Sequence, residues 1–525
     1  MTENASREPR GDGEAGAEEK DVTAAGRDGK DEAPQVNTTE GVTFSPKLLS
    51  KVEAIMLAGT ITLVQSTMAA AVASATMLIP AMSTWFQVSD LATQWVASSY
   101  TSSGSLVSGR FADLYGRKLL FISGQCVGLI ANINRIALCV LRAIAGLGMA
   151  MSSPAGFGIL AVNFTSEPAR TIAFASLGVG TPLGAAMGQV LGGLVATSGG
   201  SVVRSWRYIY FVVAGLHVIP IITGLVSIPS DRARENPENR QVDWLGAGLI
   251  TVGLSLLLFA VTQAGIVSDG WRTPYIPVVF SASIILILAF GFWEHHTECH
   301  TLIPPIVKLS IFTRYRWMIT TMLAIAFLAW CGCCGWIYLT SVYYQKLLGQ
   351  SPLENALHIL PQPISGILSS GLVALLAPRV PAPIILALGG ISTGLSNCLF
   401  AVQSPHTLYW KCEFFAAILM PLGGDLTIPI GSIIISNLCS QDEQSVAGAL
   451  FQVSLQIAGT VDICLSSLIL VQREKAVGLL PALRDSLWFN TALCWGVLPI
   501  IFLFMRRVGL ARDVAKVIWG GGVAV

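Results

Sequence analysis

Fourteen stretches of this chain are apolar over lengths close to the width of a bilayer, and nothing else in the sequence limits the fold as strongly. A helix rises about 1.5 Å per residue, so about 20 mostly apolar residues cross a hydrocarbon core of about 30 Å. The candidate spans are 55–82, 91–108, 118–134, 136–160, 171–196, 206–228, 244–265, 274–294, 317–343, 354–377, 382–402, 409–436, 445–471 and 486–506. The third and fourth share one stretch broken only around Asn132, Asn134 and Arg135, and the third is short for a span. Runs of this length satisfy their backbone groups internally as helices. The chain is read as an all-α polytopic membrane protein.

Charge supports that reading. Only 12% of the 525 residues are charged, against about 25% in a soluble globular chain. Residues 1–54 hold 12 of the 31 acids and 7 of the 32 bases, and the remaining charges gather in short clusters between apolar runs. An ordinary soluble enzyme and a disordered chain are excluded, and so is a nucleic-acid binder, which needs a basic face. Most of the 11 cysteines lie inside apolar runs, where they act as small hydrophobes.

Lys and Arg in the loops set orientation. With the N-terminus inside, 17 bases fall on the cytoplasmic side and 9 on the other. An even number of spans then puts both termini in the cytoplasm. Residues 1–54 are expected to be a disordered cytoplasmic tail, too polar to bury a core. Residues 55–228 hold six spans, 229–243 a charged loop, and 244–294 two further spans. Residues 295–316 form a second cytoplasmic loop, 317–506 six more spans, and 507–525 a terminal tail.

The most specific cluster runs from Gly109 to Lys118, with Gly109, Asp113, Gly116, Arg117 and Lys118 at its fixed positions. Glycines allow a tight turn between helices. Asp113 is suited to accept hydrogen bonds from a helix N-terminus or a base, and Arg117 and Lys118 hold the loop at the cytoplasmic surface. Inside the spans a few polar residues stand out. Arg142 lies in an apolar helix, where a charge costs at least about 2.5–3.5 kcal/mol, so it must face a partner or a cavity. Asp425 sits mid-span, with Glu413 nearer the end of the same run, and Asp462 lies in the thirteenth span. Low dielectric disfavours an ionised carboxyl, which makes Asp425 the leading proton-carrier candidate and Asp462 the second. Gly180, Gly184, Gly188 and Gly192 recur every four residues and form one smooth helix face for a close-packed partner. Pro182, Pro361, Pro363, Pro421 and Pro429 permit bends.

The 109–118 segment resembles the G-x-L-a-D-r-x-G-r-k signature of the major facilitator superfamily. The span count resembles that superfamily's fourteen-span drug:proton antiporter branch. Leu141 to Ala150, with Arg142, is similar to the span-4 pattern, which implies a place for Arg142 in the proton-coupling network of the first half, and Gly184, Gly188, Gly192 and Gly193 resemble the antiporter motif of span 5. Trp206 to Phe211 resembles the start of span 6, and Gly424 to Pro429 resembles a pattern of fungal aminotriazole-resistance-type transporters. The chain departs from the pattern at Gln189, where proline is usual, and at Leu114, where a base is usual. Span 1 has Gln65, Ser66 and Thr67 in place of an acid, and spans 2 and 3 are short.

The resemblance implies two six-helix bundles plus two extra central spans, with a substrate site between the halves near the midplane and rocking about it. It also implies that Asp113 meets the start of a second-half helix, here span 13. The chain lacks the G-x-x-x-x-G-K-[ST] phosphate loop, so no ATPase is built into it and its energy is expected to come from an ion gradient or the substrate's own; the resemblance implies a proton gradient, no enzymatic activity and no cofactor. The expected cargo is a small organic molecule exported across a lipid bilayer by a monomer: a drug, a toxin, or an amphiphilic secondary metabolite such as a glycolipid. The alternatives are a small inorganic solute such as ammonium or borate, and a non-transporting membrane sensor. The plasma membrane is the expected location, with a vacuolar or other internal membrane as the alternative. His295, His296 and His300 are set aside as a loop cluster rather than a metal site, and Cys331, Cys333 and Cys334 as small packing residues.

Overall fold

A computed structural model describes residues 50–78, 82, 105–133, 138–164, 166, 168–197, 202–229, 241–267, 269–301, 303–405, 407–440, 443–506 and 508–513. Fourteen helical runs follow one another among these residues. They are α1 (Lys51–Met77), α2 (Ser105–Tyr115), α3 (Arg117–Ile133), α4 (Leu138–Asn163), α5 (Ala169–Thr197), α6 (Val202–Ser227) and α7 (Trp244–Ile266). After them come α8 (Tyr275–His300), α9 (Ser310–Val342), α10 (Pro352–Leu376), α11 (Ala382–Val402), α12 (Glu413–Leu438), α13 (Gln444–Val477) and α14 (Leu479–Phe504). Twelve stretches among the described residues are long and apolar enough to cross a membrane. The other two predicted spans do not reach that standard, since 91–104 lie outside the described residues and α3 is 17 residues long. The fold class, an all-α polytopic membrane protein, stands.

Local chemistry fixes several helix ends. Ser50 Oγ accepts from the Glu53 N–H at 3.2 Å while Glu53 accepts from the Ser50 N–H at 2.8 Å, a reciprocal cap that starts α1. Residues 51–54 are therefore helix, and the tail ends sooner than the sequence suggests. Ser351 and Glu354 repeat the arrangement at α10, with Pro352 in the first turn. Within α1, Thr60, Thr62, Ser66 and Thr67 each donate to the carbonyl four residues back, so their hydroxyls are satisfied without water.

Other boundaries shift too. The signature at 109–118 is mostly helix: Gly109 to Tyr115 complete α2, and Gly116 alone, at φ 103°, turns the chain into α3. Residues 295–300 are the last turns of α8 rather than loop, since the helix ladder runs on to His300. In the terminal tail, the Ala382 N–H donates to the Gly509 carbonyl and Asn437 Nδ2 donates to the Ala511 carbonyl, so 509–511 pack on the bundle.

Helices alternate in direction between two ends. At the near end, Thr60 meets Ser227, Lys118 donates to the carbonyls of Leu225 and Ile228, and Lys308 pairs with Glu443 at 2.9 Å. At the far end, Arg473 pairs with Asp485, and Arg484 donates to the Gln403 carbonyl. Helix α1 starts and α14 finishes at the near end. Within the first six helices α1 packs on α5 and α6, and α3 on α4 and α6; in the last six, α9 packs on α12 and α13, and α11 on α12 and α14. The halves meet where α5 lies on α10 and α12, and where α2 and α4 lie on α13. Helix α7 packs on α8 and on α13, outside both groups.

Candidate functional site

Where the halves meet they enclose a cavity of about 630 Å³. Helices α1, α4, α5, α7, α9, α10, α12 and α13 all contribute walls. Phe157 and Phe451 form part of its near-end floor, and Gly448 lets the Phe157 ring lie against α13. Toward the far end it rises to Gln345, exposed Lys346 and Gln350. Seven glutamines border it: Gln65, Gln189, Gln345, Gln350, Gln362, Gln452 and Gln456. Among the described residues, Asp425 and Lys346 are its charged side chains.

Asp425 is 4% exposed, and its Oδ2 has no hydrogen-bond partner. That oxygen lies 2.5 Å from where a Cβ on Gly366 would sit, and Pro182 of α5 flanks the same glycine at 2.7 Å. The carboxyl thus stands at the junction of α5, α10 and α12, spanning both halves. Among the described residues no base pairs with it.

Asp462 does not border the cavity. It is fully buried, accepts from the Gly335 N–H of α9, and lies near Ser466, whose hydroxyl donates to Asn490 Oδ1 at 3.1 Å. Glu413 also stays outside, receiving the Tyr344 hydroxyl at the far end. Arg142 is 2% exposed and sits apart from the cavity as well. Both its terminal nitrogens donate to the Ala71 carbonyl of α1 at 3.3 Å, and its guanidinium lies 5.6 Å from the Tyr210 ring of α6.

At the near end the signature segment faces α13. A Cβ on Gly109 would meet Ala449 Cβ at 2.7 Å and the Ser445 carbonyl at 2.8 Å, so only glycine allows this approach. Arg117 Nε donates to Ser445 Oγ at 3.0 Å, and Gly158 of α4 lies against the same hydroxyl. Asp113 falls within α2, and its side chain lies outside the described residues, as do those of Trp206 and Arg207. These contacts close the near end.

The span-5 glycines have two partners. Gly180, Gly184 and Gly188 pack on the α1 backbone at Thr62, Ser66 and Ala70. Gly193 instead faces Leu353 and Ala356 of α10, while Gly192 is buried in the same turn. Cys333 and Cys334 turn out to line the cavity, whereas Cys331 donates to the Ala458 carbonyl. Sequence reasoning missed the glutamine wall. The signal was present, because an amide in an apolar run is costly unless it faces a partner or a cavity.

Two groups of apolar helices around a mostly apolar cavity that carries seven glutamines and one carboxyl on its walls, closed at one end, define a membrane transport protein. The Major Facilitator Superfamily profile matches residues 61–461, and the chain belongs to that superfamily. It is 26% identical over 455 residues to the efflux pump terG of Aspergillus terreus, covering 80% of this chain and 81% of that one. Two Saccharomyces cerevisiae proteins are also similar. The aminotriazole resistance protein is 28% identical (71% of this chain, 68% of the other), and the low affinity ammonium transporter is 26% identical (70% and 73%). Among solved structures, the proton:xylose symporter XylE bound to 6-bromo-6-deoxy-D-glucose shares the fold, with a TM-score of 0.61 at 11% identity, over 89% of this chain and 100% of that one. The chain is a multi-pass transporter and not an enzyme.

Proposed function

We propose that this chain exports a small organic molecule, a drug, toxin or secreted secondary metabolite, in exchange for protons. The observation that carries the reading is the position of Asp425: a cavity-wall carboxyl with no counter-charge, at the junction of helices from both halves. Ionising a buried carboxyl requires solvation. Such a group takes up or releases its proton as the cavity's exposure to water changes, and rocking of the halves couples the two events. Efflux is favoured by the similarity to terG. The similarity to an ammonium transporter favours a small inorganic solute as the second reading, but a cavity of about 630 Å³ is far larger than such an ion needs. The loop bases favour a cytoplasmic position for both termini, in a cell at whose plasma membrane the protein works. The described residues of one chain line the cavity from both halves, which favours a monomer as the working unit.

The test is flux in proteoliposomes with and without an imposed pH gradient. Asp425→Asn resembles a permanently protonated side chain. The variant is expected to exchange cargo between both faces while losing acceleration by the gradient. Retained acceleration removes Asp425 from the coupling step.

A further inference from the structure

The linker pair, α7 and α8, is bound more broadly to the second half than to the first. Ala247 and Ile250 of α7 gather with Ile306 and Val307 around Val446 and Ala449 of α13. Further along, the Cys464 thiol donates to the Val261 carbonyl at 2.6 Å. Lys308 pairs with Glu443 at 2.9 Å, and its loop is fixed to α8, where Glu294 accepts from the Ile306 N–H and Glu298 from the Leu309 N–H. Asp243 fastens α7 to α8 in turn, accepting from the Gly246 N–H at 2.8 Å and from Trp293 Nε1 at 2.7 Å. These contacts make α7, α8 and α13 one packed unit.

The first half meets the linker at α2. The Trp244 ring at the start of α7 lies 5.8 Å from the Phe111 ring, tilted by 58°, and Tyr115 meets Phe111 edge-on at 5.9 Å. Phe111 stands two residues after Gly109, which closes on Ser445 and Ala449 of α13. Opening the near end separates α2 from α13, so α7 must then leave one of them. The cavity indicates which. Thr262 and Gly265 of α7 line it beside Cys464 and Ser467 of α13. If α7 stayed with α2, that wall would split.

We propose that the linker pair travels with the second half as one body, and that the Trp244–Phe111 contact is a latch that breaks when the near end opens. This rests on the rocking of the halves read into the cavity, and adds a third part to it: α7 is wall and latch as well as connection. Tryptophan at a membrane interface is also a common anchor, and an anchor would leave near-end opening unaffected.

The test needs no cargo. Ser445 is fully buried at the closed near end, so the rate at which N-ethylmaleimide labels Ser445→Cys in the full chain in proteoliposomes, read by peptide mass spectrometry, follows opening. Adding Trp244→Ala is expected to raise that rate about twofold to tenfold, and Trp244→Phe to return most of the change. Native Cys331, buried between α9 and α13, should label no faster. A Cβ on Gly265 would lie 3.5 Å from Cys464 Sγ, so Gly265→Cys can bridge α7 to α13 through the native thiol. The oxidised and reduced forms should label alike at position 445. If Gly265→Cys fails to insert, Lys308→Cys/Glu443→Cys, joined beforehand by a short bis-maleimide, ties the same elements. An unchanged rate in Trp244→Ala, or an equal rise at Cys331, overturns the latch. Labelling slowed tenfold by a complete bridge overturns the common motion of α7 and α13. No labelling at position 445 in any variant overturns the rocking itself, and this inference with it.

Discussion

Arg142 shows how one residue's surroundings separate two roles. Its guanidinium is tied to an α1 carbonyl and stacked near an α6 ring, away from the cavity. That geometry joins three helices of the first half. A lysine there keeps the charge but loses the fork and the flat face. Arg142→Lys is therefore expected to lower the melting temperature of the solubilised protein, by the equivalent of about 2 kcal/mol. The coupling role implied by the superfamily resemblance predicts a different outcome: unchanged melting with loss of response to a pH gradient. A thermal scan beside a flux assay separates the two. Residues such as Arg142 and Asp425 stand out in the sequence because a charge in an apolar run is costly unless a partner or a cavity receives it. The residues they pack against do not, because Ala71 and Gly366 look like any other small residue until the helices pack.

Among elements, α5 against α1 is the contact most dependent on sequence. Gly184 meets the Ser66 carbonyl so closely that no side chain fits, and backbone cannot move aside as a flexible side chain can. Gly184→Val is expected to cost several kcal/mol and to reduce the amount of folded, monodisperse protein. Gly59 of α1 has open space where a Cβ would go, so Gly59→Ala should be neutral or stabilise by about 0.5–1 kcal/mol through helix propensity. Equal losses in both variants, read from size-exclusion profiles after extraction, would contradict the close-packing account. The four-residue glycine spacing was legible in the sequence, and the partner helix was not. A lipid-facing helix is apolar all round, so no polar stripe marks the side that meets protein. For the same reason the seven glutamines could not be assigned to one cavity, although each was visible in its run. Breaks at Leu360, Met420 and Gly496 fall between helical segments of α10, α12 and α14, whereas Pro182 and Pro429 sit inside continuous helices. Proline marks a site where bending is tolerated, and packing decides whether the bend forms.

For the whole molecule, the central claim is that one cavity serves both faces in turn, and that the near-end contacts of α2 and α4 with α13 must part for this to happen. Twelve of the fourteen apolar stretches read from hydrophobic length coincide with helices long and apolar enough to cross a membrane, and the division into two groups of six came from the superfamily resemblance. The closed near end did not follow from length, since it depends on Gly109, Gly158 and Ser445 meeting across more than 280 residues of sequence. Ser445 Oγ lies against the place a Cβ on Gly158 would take, and this suits a disulfide, whose Cβ atoms stand about 3.5–4.5 Å apart. The most direct measurement is flux by the Gly158→Cys/Ser445→Cys variant in proteoliposomes, oxidised and then reduced, beside the native chain treated in the same way. Cross-linking is expected to stop transport in the double variant alone, and reduction to restore it. Undiminished flux with the cross-link shown complete by mass spectrometry would contradict the account, because cargo would then cross without the near end opening.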